Sequence, residues 1–149
     1  ICMKKVITIF FIIMTLFLTL MCERLADQKT NLQNNIDRMF ANSYQYLILN
    51  MWNISEFEYD ETYLKTLNID NTKHGALVSA LFQYTSYNEN YELGNCIQIL
   101  DQSSGSDAFL SLTIDKELYD KLKELNTNFQ SVSLAENVHK MLETKISSQ

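Results

Sequence analysis

An uninterrupted apolar run from Val6 to Met21 is the strongest pattern along the chain. Lys4 and Lys5 precede the run, and charged residues resume at Glu23. As a helix, the run would be about 24 Å long at 1.5 Å per residue, between a long signal-peptide core and a short membrane span. The two lysines predict a cytoplasmic N-terminus. We therefore divide the chain into a signal-anchor or signal peptide over residues 1–22 and an extracytoplasmic domain over residues 23–149.

Three fates of this segment differ in the motif that each requires. Retention in the membrane through residues 6–21 requires no further motif, and it is the outcome that we expect. Signal peptidase favours small residues before its cleavage site, which Leu20-Met21-Cys22 provides poorly. Lipidation at Cys22 favours Gly, Ala or Ser before the cysteine, whereas Met21 stands there. The sequence predicts a single-pass membrane protein, with a secreted protein and a lipoprotein as alternatives.

Beyond the apolar run, hydrophobic residues recur at the spacing of amphipathic helices. The first stripe predicts a long, membrane-proximal stalk helix and comprises Leu25, Leu32, Ile36, Met39 or Phe40, Leu47 and Met51. Its partial heptad spacing permits a homodimer through a coiled coil, although Lys29 and Ser43 fall at seam positions.

Several polar residues match the signals that start helices. Ser55–Glu58 and Ser133–Glu136 have the spacing of capping boxes, in which a hydroxyl and a carboxylate each accept from a free amide of the first turn. Asp70 or Thr72 predicts the start of another helix that continues through Tyr91.

The final long stripe follows a predicted loop at residues 101–106. It predicts a helix and comprises Leu110, Ile114, Leu118, Leu122, Leu125 and Phe129. Apolar alternation near residues 97–99 and 110–114 leaves a β-hairpin within residues 96–114 as an alternative. The absence of proline and the presence of only three glycines disfavour a β protein, which needs many turns. We predict an all-α fold: a membrane helix followed by an antiparallel bundle of four or five helices, with an α+β fold containing that hairpin as the alternative.

The charge balance limits the classes of partner. Two of the twelve basic residues are Lys4 and Lys5, so the chain beyond the apolar run has ten basic and eighteen acidic residues, a net charge of −8. Such a domain repels DNA, RNA and anionic headgroups, so we exclude nucleic acid as a partner. Cys96 alone lies well inside the domain, which predicts a buried free thiol.

The four acidic residues near Phe57 have two interpretations. Glu56, Glu58, Asp60 and Glu61 could resemble a calcium loop, but such loops turn at a glycine and none is nearby. Acidic residues in the first turn of a helix interact favourably with its dipole. We therefore interpret these residues as acidic residues in the first turn of a helix.

Catalytic and metal-binding motifs are weak throughout the sequence. Glu136 and His139 have the Glu-x-x-His spacing of di-iron bundles, but His74 has Asn71 where the second copy needs a glutamate. The sequence contains no Gly-x-Ser-x-Gly elbow, no glycine-rich phosphate loop and no His-Glu-x-x-His motif. We predict a protein that is not an enzyme and has no cofactor or metal, with His139 and Glu143 forming a surface pair.

Tyrosine remains as a candidate recognition residue. Tyr84, Tyr87 and Tyr91 fall close together, and tyrosine is enriched at interfaces because it combines a large ring with a hydroxyl. The alternative is that these rings belong to the core of the bundle.

The sequence therefore predicts a non-enzymatic interaction or envelope-associated protein with a protein partner. A ligand-sensing or solute-binding bundle with an aromatic pocket is the alternative function.

Overall fold

The computed structural model describes residues 2–104, 112 and 114–147. These residues form five helices, α1 Cys2–Glu56, α2 Glu61–Phe82, α3 Tyr91–Ser104, α4 Lys116–Thr127 and α5 Val132–Ser147. No β-strand occurs among the described residues, so the predicted all-α class is confirmed. Residues 96–104 are helical, which contradicts the hairpin alternative there, whereas 105–111 and 113 lie outside the described residues.

The chain divides into two compact units, of which the first ends at Asn35 and the second begins at Ile36. The first unit contains the predicted membrane segment. In the second unit, α3 packs against α2 and α5, and α4 packs against α5. One apolar core unites the second unit and includes Phe40, Tyr44, Leu47, Val78, Leu93, Leu100, Leu118, Leu122, Val138 and Leu142.

The part of α1 within the second unit contributes the predicted stripe to this core. Phe40, Leu47 and Met51 are buried, whereas Met39 is exposed. The stripe therefore continues through Phe40, because Phe40 and not Met39 faces the other helices. The ring of Phe40 lies 5.0 Å from that of Phe129, centroid to centroid, in an edge-on contact.

The capping box predicted at Ser55 is wrong, because Ser55 lies within the last turn of α1. Its hydroxyl donates to the carbonyl of Met51 at 3.0 Å and accepts from the amide of Ile114 at 3.0 Å. The next helix begins instead after Asp60, whose carboxylate accepts from the Tyr63 amide at 2.9 Å. The hydroxyl that the local pattern predicted as a helix cap thus bonds a residue that is distant in sequence.

The helix predicted from Asp70 or Thr72 through Tyr91 is also wrong in its bounds. Both residues lie inside α2, which ends at Phe82. A new helix begins at Tyr91 because the Asn90 side chain accepts from the Leu93 amide at 3.2 Å. The same side chain donates to the carbonyl of Phe129 at 2.8 Å, which fixes this helix start against the end of α4.

Helix α4 is shorter than the predicted helix from 110 to 129. Asp115 has an extended backbone and its carboxylate accepts from the Leu118 amide at 2.9 Å, so the helix begins at Lys116. The described members of the stripe are nevertheless all buried: Ile114, Leu118, Leu122, Leu125 and Phe129. Leu110 lies outside the described residues. The spacing identified the buried positions correctly but overestimated the helix length.

The capping box predicted at Ser133 is displaced by two residues. Helix α5 begins at Val132, and the hydroxyl of Ser131 accepts from the Leu134 amide at 3.3 Å. Glu136 instead pairs with Lys140 one turn later, at 2.6 Å. The predicted helix exists, but its cap comes from the preceding serine.

Candidate functional site

The apolar segment of α1 has the properties of a membrane-spanning helix. An 18-residue window in this helix has a mean hydropathy of 2.0, and none of it is buried in the described structure. Large side chains all around the helix are exposed, including Phe10, Phe11, Leu16 and Phe17. A long, strongly hydrophobic helix segment of this kind, with no charged residue in its apolar run, is typical of a membrane span or a signal sequence.

The three tyrosines of the predicted recognition surface lie in different environments. Tyr84 and Tyr91 are 60% and 75% exposed. Tyr87 is half-buried and packs against the core, with its ring centroid 5.0 Å from that of Phe129. Burial, reinforced by the charge of Asp37, raises the pKa of the Tyr87 hydroxyl above its ordinary value. Two of the three rings are therefore accessible to a partner, whereas the third contributes to the fold.

The two cysteines with described side chains also differ in accessibility. Cys22 is exposed and Cys96 is buried. The Cys96 thiol donates to the carbonyl of Ala135 at 3.3 Å, and burial together with the charge of Glu92 raises its pKa to about 12. Such a thiol is unreactive at neutral pH because the thiolate is the reacting species.

His139 lies between two carboxylates. Its Nδ1 is 2.8 Å from Oε2 of Glu92 on α3, and its Nε2 is 3.4 Å from Oε1 of Glu143 on α5. The pair with Glu143 was predicted, whereas Glu92 was missed because it lies 47 residues away in sequence. The imidazole is 19% exposed and links α3 to α5, so it is more enclosed than a surface pair. Within the described residues, no group of three or more His, Cys, Asp or Glu side chains could hold a metal ion.

A polar stripe of three residues, Asn68, Asn71 and His74, follows one side of α2. Asn71 is fully buried. Among the described residues, no hydrogen-bond partner exists for either side-chain polar atom of Asn71, for Oδ1 of Asn68 or for Nδ1 of His74. Buried polar atoms normally have partners, so those that lack them call for a functional or solvent explanation.

The polar stripe contacts an aromatic ring through His74. Tyr46 stacks on His74 with ring centroids 5.5 Å apart and planes 20° apart. Tyr46 also lines a surface cavity of about 240 Å³ together with Asn42, Gln45 and Leu49. The stacking of Tyr46 on His74 was not predicted, because the two residues are 28 positions apart and neither belongs to a recognisable motif.

A second aromatic group occupies the connection between α1 and α2. The rings of Phe57 and Tyr59 lie 6.3 Å apart, and those of Tyr59 and Tyr63 lie 4.9 Å apart. We call these three residues the aromatic corner. Phe57 and Tyr63 are about half exposed. The density of aromatic residues between 57 and 63 is visible in the sequence, but their exposure became evident only in the fold.

Comparison with known proteins does not supply a function. No family model matches the chain, and no match was found among curated proteins or solved structures.

Proposed function

We propose that this chain is a single-pass membrane protein that displays an acidic helical domain on the extracytoplasmic side and acts as a non-enzymatic interaction module. The observation that carries the proposal is the apolar part of α1, where an 18-residue window has a mean hydropathy of 2.0 and no buried residue. Lys4 and Lys5 precede this segment, which favours retention of the N-terminus in the cytoplasm.

The interaction role is supported by exposed aromatic rings on an acidic domain. Tyr63, Tyr84 and Tyr91 are exposed outside the apolar segment, and tyrosine contributes strongly to protein interfaces. The chain beyond the segment has a net charge of −8, which disfavours nucleic acid and anionic lipid as partners. A protein partner remains the class that fits these properties.

Membrane fractionation with an alkaline wash, followed by intact-mass measurement, tests the tether. We expect the uncleaved chain to remain in the washed membranes. A soluble chain that lacks the first twenty or so residues would refute the tether in favour of a secreted protein. A truncated chain with added lipid mass would instead identify a lipoprotein anchored at Cys22.

Matched substitutions separate membrane insertion from loose association. Leu16→Lys introduces a charge into the middle of the apolar run, whereas Leu32→Lys changes an equally exposed leucine outside it. A lysine at the centre of a span costs about 3 kcal/mol in insertion. We expect Leu16→Lys to reduce the washed-membrane fraction and Leu32→Lys to leave it unchanged.

A ligand-sensing bundle is a second candidate function, favoured specifically by the buried, unpartnered side chain of Asn71. A ligand that reached Asn71 would supply the missing partners through a hydroxyl or amide group. Asn71→Leu has similar volume and removes an unpaired buried amide, so it should stabilise the fold by about 1–3 kcal/mol. Thermal-shift measurements across pools of neutral sugars and amides should show a ligand that stabilises the natural chain and not the variant. A destabilising Asn71→Leu would contradict this function.

A further inference from the structure

The aromatic corner exposes apolar surface that the core does not require. Phe57, Tyr59 and Tyr63 contact one another through their rings. Among the described residues, none of the three belongs to the core cluster or to the side chains that pack against it. Phe57 and Tyr63 are 56% and 47% exposed. Tyr59, which contacts both of these rings, is itself half-buried, so the corner presents two exposed rings on either side of it. Exposed aromatic rings grouped in this way commonly mark an interaction site.

The charge around the aromatic corner is strongly negative. Four carboxylates alternate with the rings in sequence: Glu56, Glu58, Asp60 and Glu61. Asp60 caps α2, and Glu61 pairs with Lys65 at 2.7 Å. Glu56 and Glu58 are exposed. No lysine, arginine or histidine occurs between Arg38 and Lys65, so no basic residue within this stretch of sequence offsets the charge.

Ring faces and carboxylates attract the same kind of group. The face of an aromatic ring carries negative electrostatic potential and binds ammonium or guanidinium groups, most often that of arginine. Carboxylates add charge-assisted hydrogen bonds to the same groups.

The negative charge of the aromatic corner disfavours other classes of partner. An anionic lipid surface or a nucleic acid would be repelled here. A second copy of the chain would bring another domain of net charge −8 and would be repelled as well.

We propose that the aromatic corner binds a basic segment of a partner protein, with arginine or lysine side chains against the rings and their charges near Glu56 and Glu58. This inference rests on the proposed interaction function and specifies the chemistry of the partner. Because the binding energy comes from exposed cation–π contacts and charge pairs, the affinity falls as salt is added.

Calorimetric titration of the full chain in detergent micelles tests the inference. The probe is a synthetic nonapeptide of alternating arginine and serine, and its charge control alternates glutamate and serine. We expect saturable binding of the arginine peptide alone. Phe57→Leu and Tyr63→Leu keep apolar surface but remove the ring faces, so each should weaken binding about threefold to fivefold. Glu58→Gln should weaken binding and reduce its dependence on salt.

Matched variants elsewhere distinguish this site from general attraction to an acidic protein. Val132→Ala removes apolar surface from a side chain that is as exposed as Phe57, and Glu89→Gln removes an exposed carboxylate, both outside the aromatic corner. We expect both variants to bind the peptide as the natural chain does. An equal loss in these controls, or no binding of the arginine peptide, would overturn the inference. Circular dichroism of each variant confirms that the helices are intact.

The two proposals fail in distinguishable ways. Loss of the chain from alkaline-washed membranes would refute the tether while leaving peptide binding measurable. Absence of peptide binding would refute the basic partner while leaving membrane retention unchanged.

Discussion

The hydroxyl of Tyr87 donates a hydrogen bond to the main-chain carbonyl of Asp37 at 3.1 Å. The Asp37 carboxylate accepts in turn from the amide and the hydroxyl of Ser86, at 2.9 and 2.6 Å. These contacts attach the connection between α2 and α3 to α1 at the position where the second compact unit begins. The connection is therefore fixed by a carboxylate that no local motif in the sequence identifies.

Removal of these contacts should destabilise the second unit measurably. Tyr87→Phe should lower the free energy of unfolding by about 1 kcal/mol, because it removes one hydrogen bond. Asp37→Ala should cost about 2 kcal/mol, because it removes two charge-assisted bonds. Denaturant unfolding in detergent can be followed by fluorescence of Trp52, the only tryptophan, whose ring stacks on Tyr119 at 4.9 Å. Asn42→Ala on the exposed side of α1 is the control, and an equal effect there would contradict this account.

Gly75 has no space for a side chain. A Cβ added there would overlap the Ser104 hydroxyl and would lie 3.1 Å from the Ser104 Cβ. Alanine favours a helix over glycine by about 1 kcal/mol, but overpacking costs about 1–3 kcal/mol. We expect Gly75→Ala to destabilise the fold in thermal unfolding.

Ser104→Ala provides the matched test of that clash. With the Ser104 hydroxyl removed, the additional cost of Gly75→Ala should fall by at least about 0.5 kcal/mol, which a double-mutant cycle measures. Strictly additive effects would show that the two residues do not conflict.

Acid should weaken the start of α4. The Lys145 ammonium, which bonds the Asp115 carboxylate, and the Leu118 amide lower the pKa of Asp115 from its ordinary 3.8. Because the folded pKa lies below the unfolded one, the ionised carboxylate stabilises the fold above about pH 4. That stabilisation is lost as the pH falls through the lowered pKa.

Asp115→Asn isolates this contribution, since asparagine also caps a helix but does not titrate here. Unfolding free energies measured from neutral to acidic pH should fall less steeply below about pH 4 in the variant than in the natural chain. Identical slopes would contradict the role of Asp115. Asp115→Ala should additionally lose the cap, at a cost of about 1 kcal/mol at neutral pH.

The cysteines should differ in reactivity. In a Cys2→Ser background, maleimide should modify Cys22 rapidly at neutral pH, because it is exposed. Cys96 is buried and its pKa is raised to about 12, so it should react only after denaturation. Mass spectrometry of the labelled chain, with and without denaturant, measures both rates. Rapid labelling of Cys96 in the native chain would contradict the buried position.

The sequence by itself determined the helical class, the apolar segment and the buried stripe that includes α4. Period and composition are local properties, and a stripe such as Leu118, Leu122 and Leu125 must face a core whatever its neighbours are. The same reasoning identified the pair of His139 with Glu143, because both lie one turn apart on one helix.

Only the tertiary structure decided where helices begin and which polar groups meet. Ser55 did not cap a helix because its hydroxyl bonds Met51 and Ile114, and the latter lies 59 residues away. Asn90 starts α3 while its amide reaches Phe129, 39 residues away. Such contacts depend on chain segments that packing brings together, so no local pattern contains them. The exposure of the aromatic corner arose in the same way, since burial of a ring depends on what packs against it and not on its spacing.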